Sequence, residues 1–205
     1  MTNSSLQEYI APKLNRKYWR IVLGILTNAQ LMLLQVIHEY IVITGYDINK
    51  HVLNLKYKDW ADIGKTSIYT GLKILQEKKY VTSFIDMDKT GKGPLPRKYS
   101  LNEEGKVILK SEMIYTIENS REREKRLDLV ISALQILSFQ EITSAFDRRI
   151  LYLNSEVFRI NKDFEDQKNC LPIGGEFLYS RILSSLRNEI EFSKTVLQYF
   201  EKMEQ

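Results

Sequence analysis

Residues Gly64 to Leu101, GKTSIYTGLKILQEKKYVTSFIDMDKTGKGPLPRKYSL, decide the fold. Ile68, Leu72 and Leu75 recur at helical spacing, and Lys65, Thr66 and Ser67 stand where that helix opens. A β-prone ribbon follows, with a tip marked by Gly91, Gly93, Pro94 and Pro96. A helix of ten to fourteen residues suits a DNA major groove about 12 Å wide, and a ribbon beside it would reach along the backbone. Helix followed by ribbon is the pattern of a winged helix.

Two mimics lie in this stretch. Gly64-Lys65-Thr66 resembles the end of a nucleotide-binding loop, but Asp59 occupies the position of the required first glycine and no apolar strand precedes it. Asp86-Met87-Asp88-Lys89-Thr90-Gly91 begins like a calcium loop, but its twelfth position, which needs a bidentate glutamate, is Arg97. The physics of a helix start remains: exposed N–H groups and a partial positive charge favour a phosphate. Lys89, Lys92, Arg97 and Lys98 supply further cations along the ribbon.

Upstream, Thr27 to Gln30 form a capping box that opens a helix with the apolar stripe Leu31, Leu34, Ile37 and Ile41. His38 shares this face and is expected to be packed. Beyond Gly45 a short second helix is expected, with Tyr46, Ile48, Val52 and Leu53 as its apolar set and Asn49, Lys50 and His51 on its other side. Residues 1–26 read as a helical arm carrying Lys13, Arg16, Lys17 and Arg20, packed on the body through Tyr18 and Trp19.

Downstream, Asn102 caps a helix whose first turn holds Glu103 and Glu104, placed for the dipole and not for catalysis. The remainder is helical, with a charged bridge from Glu118 to Arg126. Its stripes are Leu127, Val130, Leu134 and Leu137, then Ile150, Leu153, Val157, Ile160 and Phe164. A third, Leu183, Leu186, Ile190, Ser193, Leu197 and Phe200, alternates steps of three and four like a coiled-coil seam. With few helices left in the chain to cover it, Leu183, Leu186, Ile190, Leu197 and Phe200 are expected to meet a second copy.

The charge is unevenly placed: of the net +4, residues 1–115 carry +6 and residues 116–205 carry −2. The first part has the bias of a polyanion binder. A single cysteine, Cys170, excludes an internal disulfide, and the first residues lack the order of a secretory signal. No apolar run reaches the length of a membrane span, so a cytoplasmic protein without membrane partners is expected. Two isolated histidines and the absence of nucleophile-elbow or dinucleotide motifs leave no catalytic or metal site and imply no cofactor.

LTNAQLMLLQVI, TGYDINK, SIYTGLKILQEKKYV and GPLPRKYSLNEEGK, in that order between Leu26 and Lys110, resemble the PadR family of bacterial transcriptional regulators. The resemblance implies a homodimer, usually a repressor, that binds an inverted repeat and often releases it when a small molecule enters a cavity near the C-terminal helices. The family's tyrosine-bearing second helix falls on Tyr46, its Ser-x-Tyr recognition helix on Ser67 and Tyr69, and its basic wing on Lys92, Arg97 and Lys98. Where the family has a glycine before the second strand this chain has Lys79, and Asn102 replaces its capping threonine.

The expected architecture is therefore mostly α: an arm (1–26), a winged helix-turn-helix domain with a two-stranded wing (27–118), and a helical dimerisation domain (119–205). The expected DNA-binding residues are Tyr46, Asn49, Lys50, Lys65, Thr66, Ser67, Tyr69, Lys73, Lys89, Lys92, Arg97 and Lys98, with Tyr69 equally suited to the core. The expected partners are duplex operator DNA, a second copy and a small-molecule effector. A winged helix used only to bind protein is the alternative, and a shallow dependence of binding on salt would mark it.

Overall fold

The computed structural model describes residues 26–87 and 94–203. The arm, with Lys13, Arg16, Lys17, Tyr18, Trp19 and Arg20, and the wing-tip residues Lys89 and Lys92 lie outside them.

Helix α1, Asn28–Tyr40, opens with the expected capping box: the Gln30 N–H donates to Thr27 Oγ1 at 3.2 Å and the Thr27 N–H to Gln30 Oε1 at 3.0 Å. Residues Leu31 to Ile37 are all buried, so α1 is the central helix of the head and not merely striped on one side. Ile41, placed on that stripe by its spacing, is instead 76% exposed. The helix has already ended: Ile41 sits at φ 63°, ψ −53°, and the Val42 N–H donates to the Tyr40 carbonyl at 2.6 Å, closing a tight γ-turn.

Strand β1, Ile43–Thr44, leads into α2, Gly45–Asn54, where Thr44 caps by accepting from the Asp47 N–H at 3.1 Å. Ile48 and Val52 are buried, while Tyr46 and Leu53 of the same apolar set are exposed. A five-residue helix, α3, Tyr57–Ala61, then precedes α4, Lys65–Glu77, which buries Ile68, Leu72 and Leu75 as its spacing requires. At Gly71 a Cβ would lie 2.6 Å from Leu33 Cδ1, so α1 and α4 touch almost backbone to side chain there.

Strands β2, Val81–Ile85, and β3, Arg97–Leu101, pair antiparallel from Val81↔Leu101 to Ile85↔Arg97. The wing has its expected two strands, and β1 adds a third to their sheet. The order is β1-β3-β2, because Ile43 and Thr44 pair with Tyr99 and Lys98. Two residues are too few to show a period of two in the sequence. With α1, α2 and α4 packed together beside this sheet, the head is a winged helix.

Helix α5, Glu103–Asn119, is capped by Asn102 and leads through a short link to α6, Lys125–Ile131, and a 3₁₀ turn at Leu134–Ile136. Arg126, in the charged bridge, is buried. It donates to the Leu26 carbonyl at 2.8 Å and to Thr116 Oγ1 at 3.1 Å, and it is ion-paired with Glu112. A buried guanidinium needs such a set, since desolvation alone would be costly. It ties the entry of α1 to α5 and α6.

Two long helices, α7, Phe139–Gln167, and α8, Ile173–Met203, complete the chain. Ring contacts between Phe164 and Tyr179 (5.4 Å), Phe146 and Phe192 (6.5 Å), and Phe139 and Phe200 (6.5 Å) show an antiparallel hairpin. One core runs from Leu26 to Phe146, and a smaller one around Leu153, Ile160, Leu183, Leu186 and Ile190 fills the outer hairpin. Between them Arg149, fully buried, donates to Ser193 at 3.2 Å and to the Ile117 and Ser120 carbonyls, and pairs with Glu189 at 2.7 Å. Burial pushes its guanidinium down from the ordinary value, and Glu189 opposes that shift.

Leu183, Leu186 and Ile190 pack on α7 of their own chain, and Leu197 and Phe200 pack on the main core. The seam in the sequence is thus covered within the chain. The outer surface of the hairpin carries other apolar residues: Leu151, Phe158, Phe177, Leu178 and Tyr199 are each more than half exposed. Among the described residues no helix is long and apolar enough to cross a membrane.

Candidate nucleic-acid interface

Gly64 precedes α4 in an extended conformation and offers no side-chain cap, so the first N–H groups of the helix are not satisfied by a capping side chain. The Ser67 N–H alone turns back, to the Gly64 carbonyl at 3.1 Å. Around this end Lys65 and Thr66 are exposed and Ser67 is half-buried. Lys65, Tyr69 and Lys73 follow at steps of four along the flank beside the buried Ile68, Leu72 and Leu75. Thr70, exposed on the solvent face with Thr66 and Lys73, was not singled out from the sequence, although the helical period points to it. Lys73 lies 3.9 Å from Glu77 with both side chains mostly in solvent, a pairing too weak to withhold it from an anion.

The wing is fastened to this helix through Ser83, whose hydroxyl accepts from Gln76 Nε2 of α4 at 2.5 Å and from Arg97 Nη1 of β3 at 2.9 Å. Arg97 therefore stands beside α4. Lys98, its neighbour in β3, points to the other face of the ribbon and pairs with Asp86 at 2.8 Å. It lines a recess of about 360 Å³ with Lys50, Thr44, Asp47 and His51. The wing cations expected to act together are split: Arg97 lies on the α4 side, by its last turn, and Lys98 with Lys50 on the α2 side.

Tyr69 satisfies both readings of its place. Its ring lies against Gly45, where a Cβ would be 3.5 Å from it, and near Tyr99, yet the residue remains 48% exposed. Burial pushes the Tyr99 phenol up from its ordinary value, with Arg97 opposing the shift and Tyr69 adding to it. Tyr46 is 72% exposed on α2, with Lys50 exposed and Asn49 half-buried on the same helix.

The described residues contain no group of three or more metal-ligating side chains, and Cys170 is an exposed thiol in the turn between α7 and α8.

No family model matches the sequence, and no curated protein matches it. Among solved structures the chain is similar to Bacillus subtilis PadR in complex with operator DNA, at 18% identity and a TM-score of 0.39, covering 83% of this chain and 98% of that one. It is similar to the same protein in complex with p-coumaric acid, at 15% identity and a TM-score of 0.35, covering 85% and 99%. A PadR-like transcriptional regulator from Bacillus cereus is similar at 14% identity and a TM-score of 0.36, covering 85% and 99%.

Proposed function

We propose that this chain is a DNA-binding transcriptional regulator of the PadR type, a homodimer that represses by occupying an inverted repeat. The observation that carries the reading is that one rigid helix bears both parts: α4 starts exposed and uncapped at Lys65, and near its other end Gln76 shares Ser83 with Arg97 of the wing. An open helix start and a cation held farther along the same helix suit the groove and the adjoining phosphates of a duplex.

In this reading Lys65, Lys73, Arg97 and, beyond the described residues, Lys89 and Lys92 neutralise phosphates, and Thr66 and Ser67 meet base edges. Tyr46, Asn49 and Lys50 of α2 bear on the neighbouring backbone, with Lys98. Tyr69 serves both the core and the groove. Two heads are joined through the outer face of the α7–α8 hairpin, where Leu151 and Phe158 of α7 are 70% and 74% exposed.

Selection of bound sequences from a random duplex pool tests the proposal. A near-palindrome with half-sites about one helical turn apart is the expected product. A pool with no enrichment at low salt would contradict DNA binding, and a single asymmetric half-site would contradict the dimer.

A further inference from the structure

Arg149 stands where the molecule divides. The core that begins at Leu26 ends at Phe146, about one helical turn before it, and the core of the outer hairpin begins at Leu153, about one turn after it. The guanidinium between them is fully buried. The Ile117 carbonyl it reaches at 3.2 Å is one of the last four of α5, which have no partner within the helix, and Ser120, whose carbonyl it also reaches, is the C-cap. Arg149 thus caps, from α7, the helix that leaves the head. Ser193 at 3.2 Å and Glu189 at 2.7 Å hold the same group to α8.

Stability alone does not call for an arginine here. The other buried residues of this face of α7 include Ile142, Ala145, Phe146 and Leu153, and a methionine of similar reach would join the two cores without desolvating a charge. What the guanidinium adds is direction. Apolar packing is non-directional and tolerates sliding, whereas N–H donors in a fixed fork accept one arrangement of their acceptors. Ion pairs of Glu141 with Lys110, Glu118 with Arg148 and Glu156 with Arg121 also reach α7, but each is at least partly open to solvent and gives way more easily.

We propose that Arg149 is the positioning residue that sets the separation of the two copies of α4, and with it the half-site spacing that the dimer accepts. The inference rests on the dimeric DNA-binding reading given above. In that reading the second copy meets Leu151 and Phe158, farther along α7 than Arg149, so a change of angle between head and dimer contact passes through this junction. Helix α5 is the lever. It runs about 25 Å from Asn102, which secures the end of α4, to the carbonyls that Arg149 holds. A pivot of about 10° at Arg149 moves the head end of that lever by about 4 Å, more than the rise of about 3.4 Å of one base pair. Telling adjacent spacings apart therefore requires the junction to be held more tightly than that.

The test uses the full chain and two readouts, one of which needs no DNA. In the first, duplexes with the selected half-sites at centre spacings stepped by single base pairs are bound to the parent, Arg149→Met, Arg149→Lys and Arg148→Ala. The parent should lose at least about tenfold in affinity one base pair from its optimum. Arg149→Met should select the same half-site sequence but vary by no more than about threefold between neighbouring spacings, with Arg149→Lys between the two and Arg148→Ala like the parent. In the second, spin labels at the native Cys170 and at Thr70→Cys, in protein diluted with unlabelled chain, give the distance from hairpin to head within one copy. Its distribution should be narrow in the parent and broad in Arg149→Met. Parental width and spacing profile in Arg149→Met, or in Arg149→Lys where the methionine variant does not fold, would overturn the inference, as would a parent that binds duplex with no preferred spacing. A parent that binds no duplex, while Arg149→Met still broadens the distance, would sink the proposed function and leave Arg149 as the residue that positions head on hairpin.

Discussion

The side-chain amide of Asn102 donates to the carbonyl oxygen of Lys79, across the turn that joins α4 to β2. Asn102 also accepts from the Gly105 N–H at 2.8 Å as the cap of α5, so one side chain secures the end of α4 and the start of α5 together. Lys79 needs securing. It sits at φ 59°, with its N–H donating to the Gln76 carbonyl and the Tyr80 N–H to the Leu75 carbonyl, the bond pair that closes a helix with a left-handed residue. Lys79→Gly should therefore raise unfolding stability by about 0.5–1 kcal/mol, and Asn102→Ala should lower it by about 1–2 kcal/mol. Urea unfolding of both variants measures this; a Lys79→Gly variant less stable than the parent would show that the turn is unstrained.

Gly105 and Gly71 predict different responses to the same added methyl. A Cβ at Gly105 would lie 2.1 Å from the Tyr80 carbonyl oxygen, which is backbone, whereas at Gly71 it meets the end of the Leu33 side chain. Gly105→Ala should cost at least about 3 kcal/mol, Gly71→Ala about 1–2 kcal/mol, since leucine can repack and a carbonyl cannot. Thermal melts that ranked the two in reverse would contradict the packing of α5 on the turn.

Acid should loosen the start of α7. The Glu141 carboxyl accepts from the Ser138 N–H at 2.7 Å and from Lys110, and these bonds hold it below the usual carboxylate range. A depressed folded pKa contributes stability that is complete above the unfolded pKa and is lost as pH falls through the folded one. Glu141→Gln keeps the capping geometry but removes the titration. Its stability should fall less steeply than the parent's below about pH 4.5, the value Glu141 shifts down from. Parallel acid limbs for the two proteins would refute the assignment.

The proposed dimerisation through the outer hairpin separates two apolar sets by consequence. Phe158→Asp should yield a folded monomer in sedimentation velocity, because Phe158 is 74% exposed, while Leu186→Asp should unfold the hairpin, because Leu186 is 0% exposed and faces its own chain. A Phe158→Asp protein with unchanged mass would move the contact elsewhere.

Much of the head was legible because local signals and packing agree: the Thr27 capping box, the Ile68, Leu72 and Leu75 stripe and the Asn102 cap all formed where their residue types require. Ile41 failed because the spacing was right but the chain had already turned, and a strained β-branched residue carries no sequence mark. The stripe from Leu183 to Phe200 announced a buried seam correctly, but periodicity does not say whether the partner helix belongs to the same chain. Here α7 is long enough to fill that role. The cation groups were legible as residues and not as faces, since Arg97 and Lys98 separate by the alternation of a strand whose neighbours are β1 and β2.

Equilibrium binding of the selected duplex, measured against salt for the parent and for Lys65→Ala, Arg97→Ala and the distal Lys162→Ala, tests the central claim most directly. A dimer neutralising on the order of six to ten phosphates should show a log–log slope near −5 to −9, and each of the first two variants should lose affinity and about one to two units of slope. Lys162→Ala should match the parent. Equal slopes for all four proteins, or a parent with no salt dependence, would contradict a duplex-binding surface built from the start of α4 and the wing.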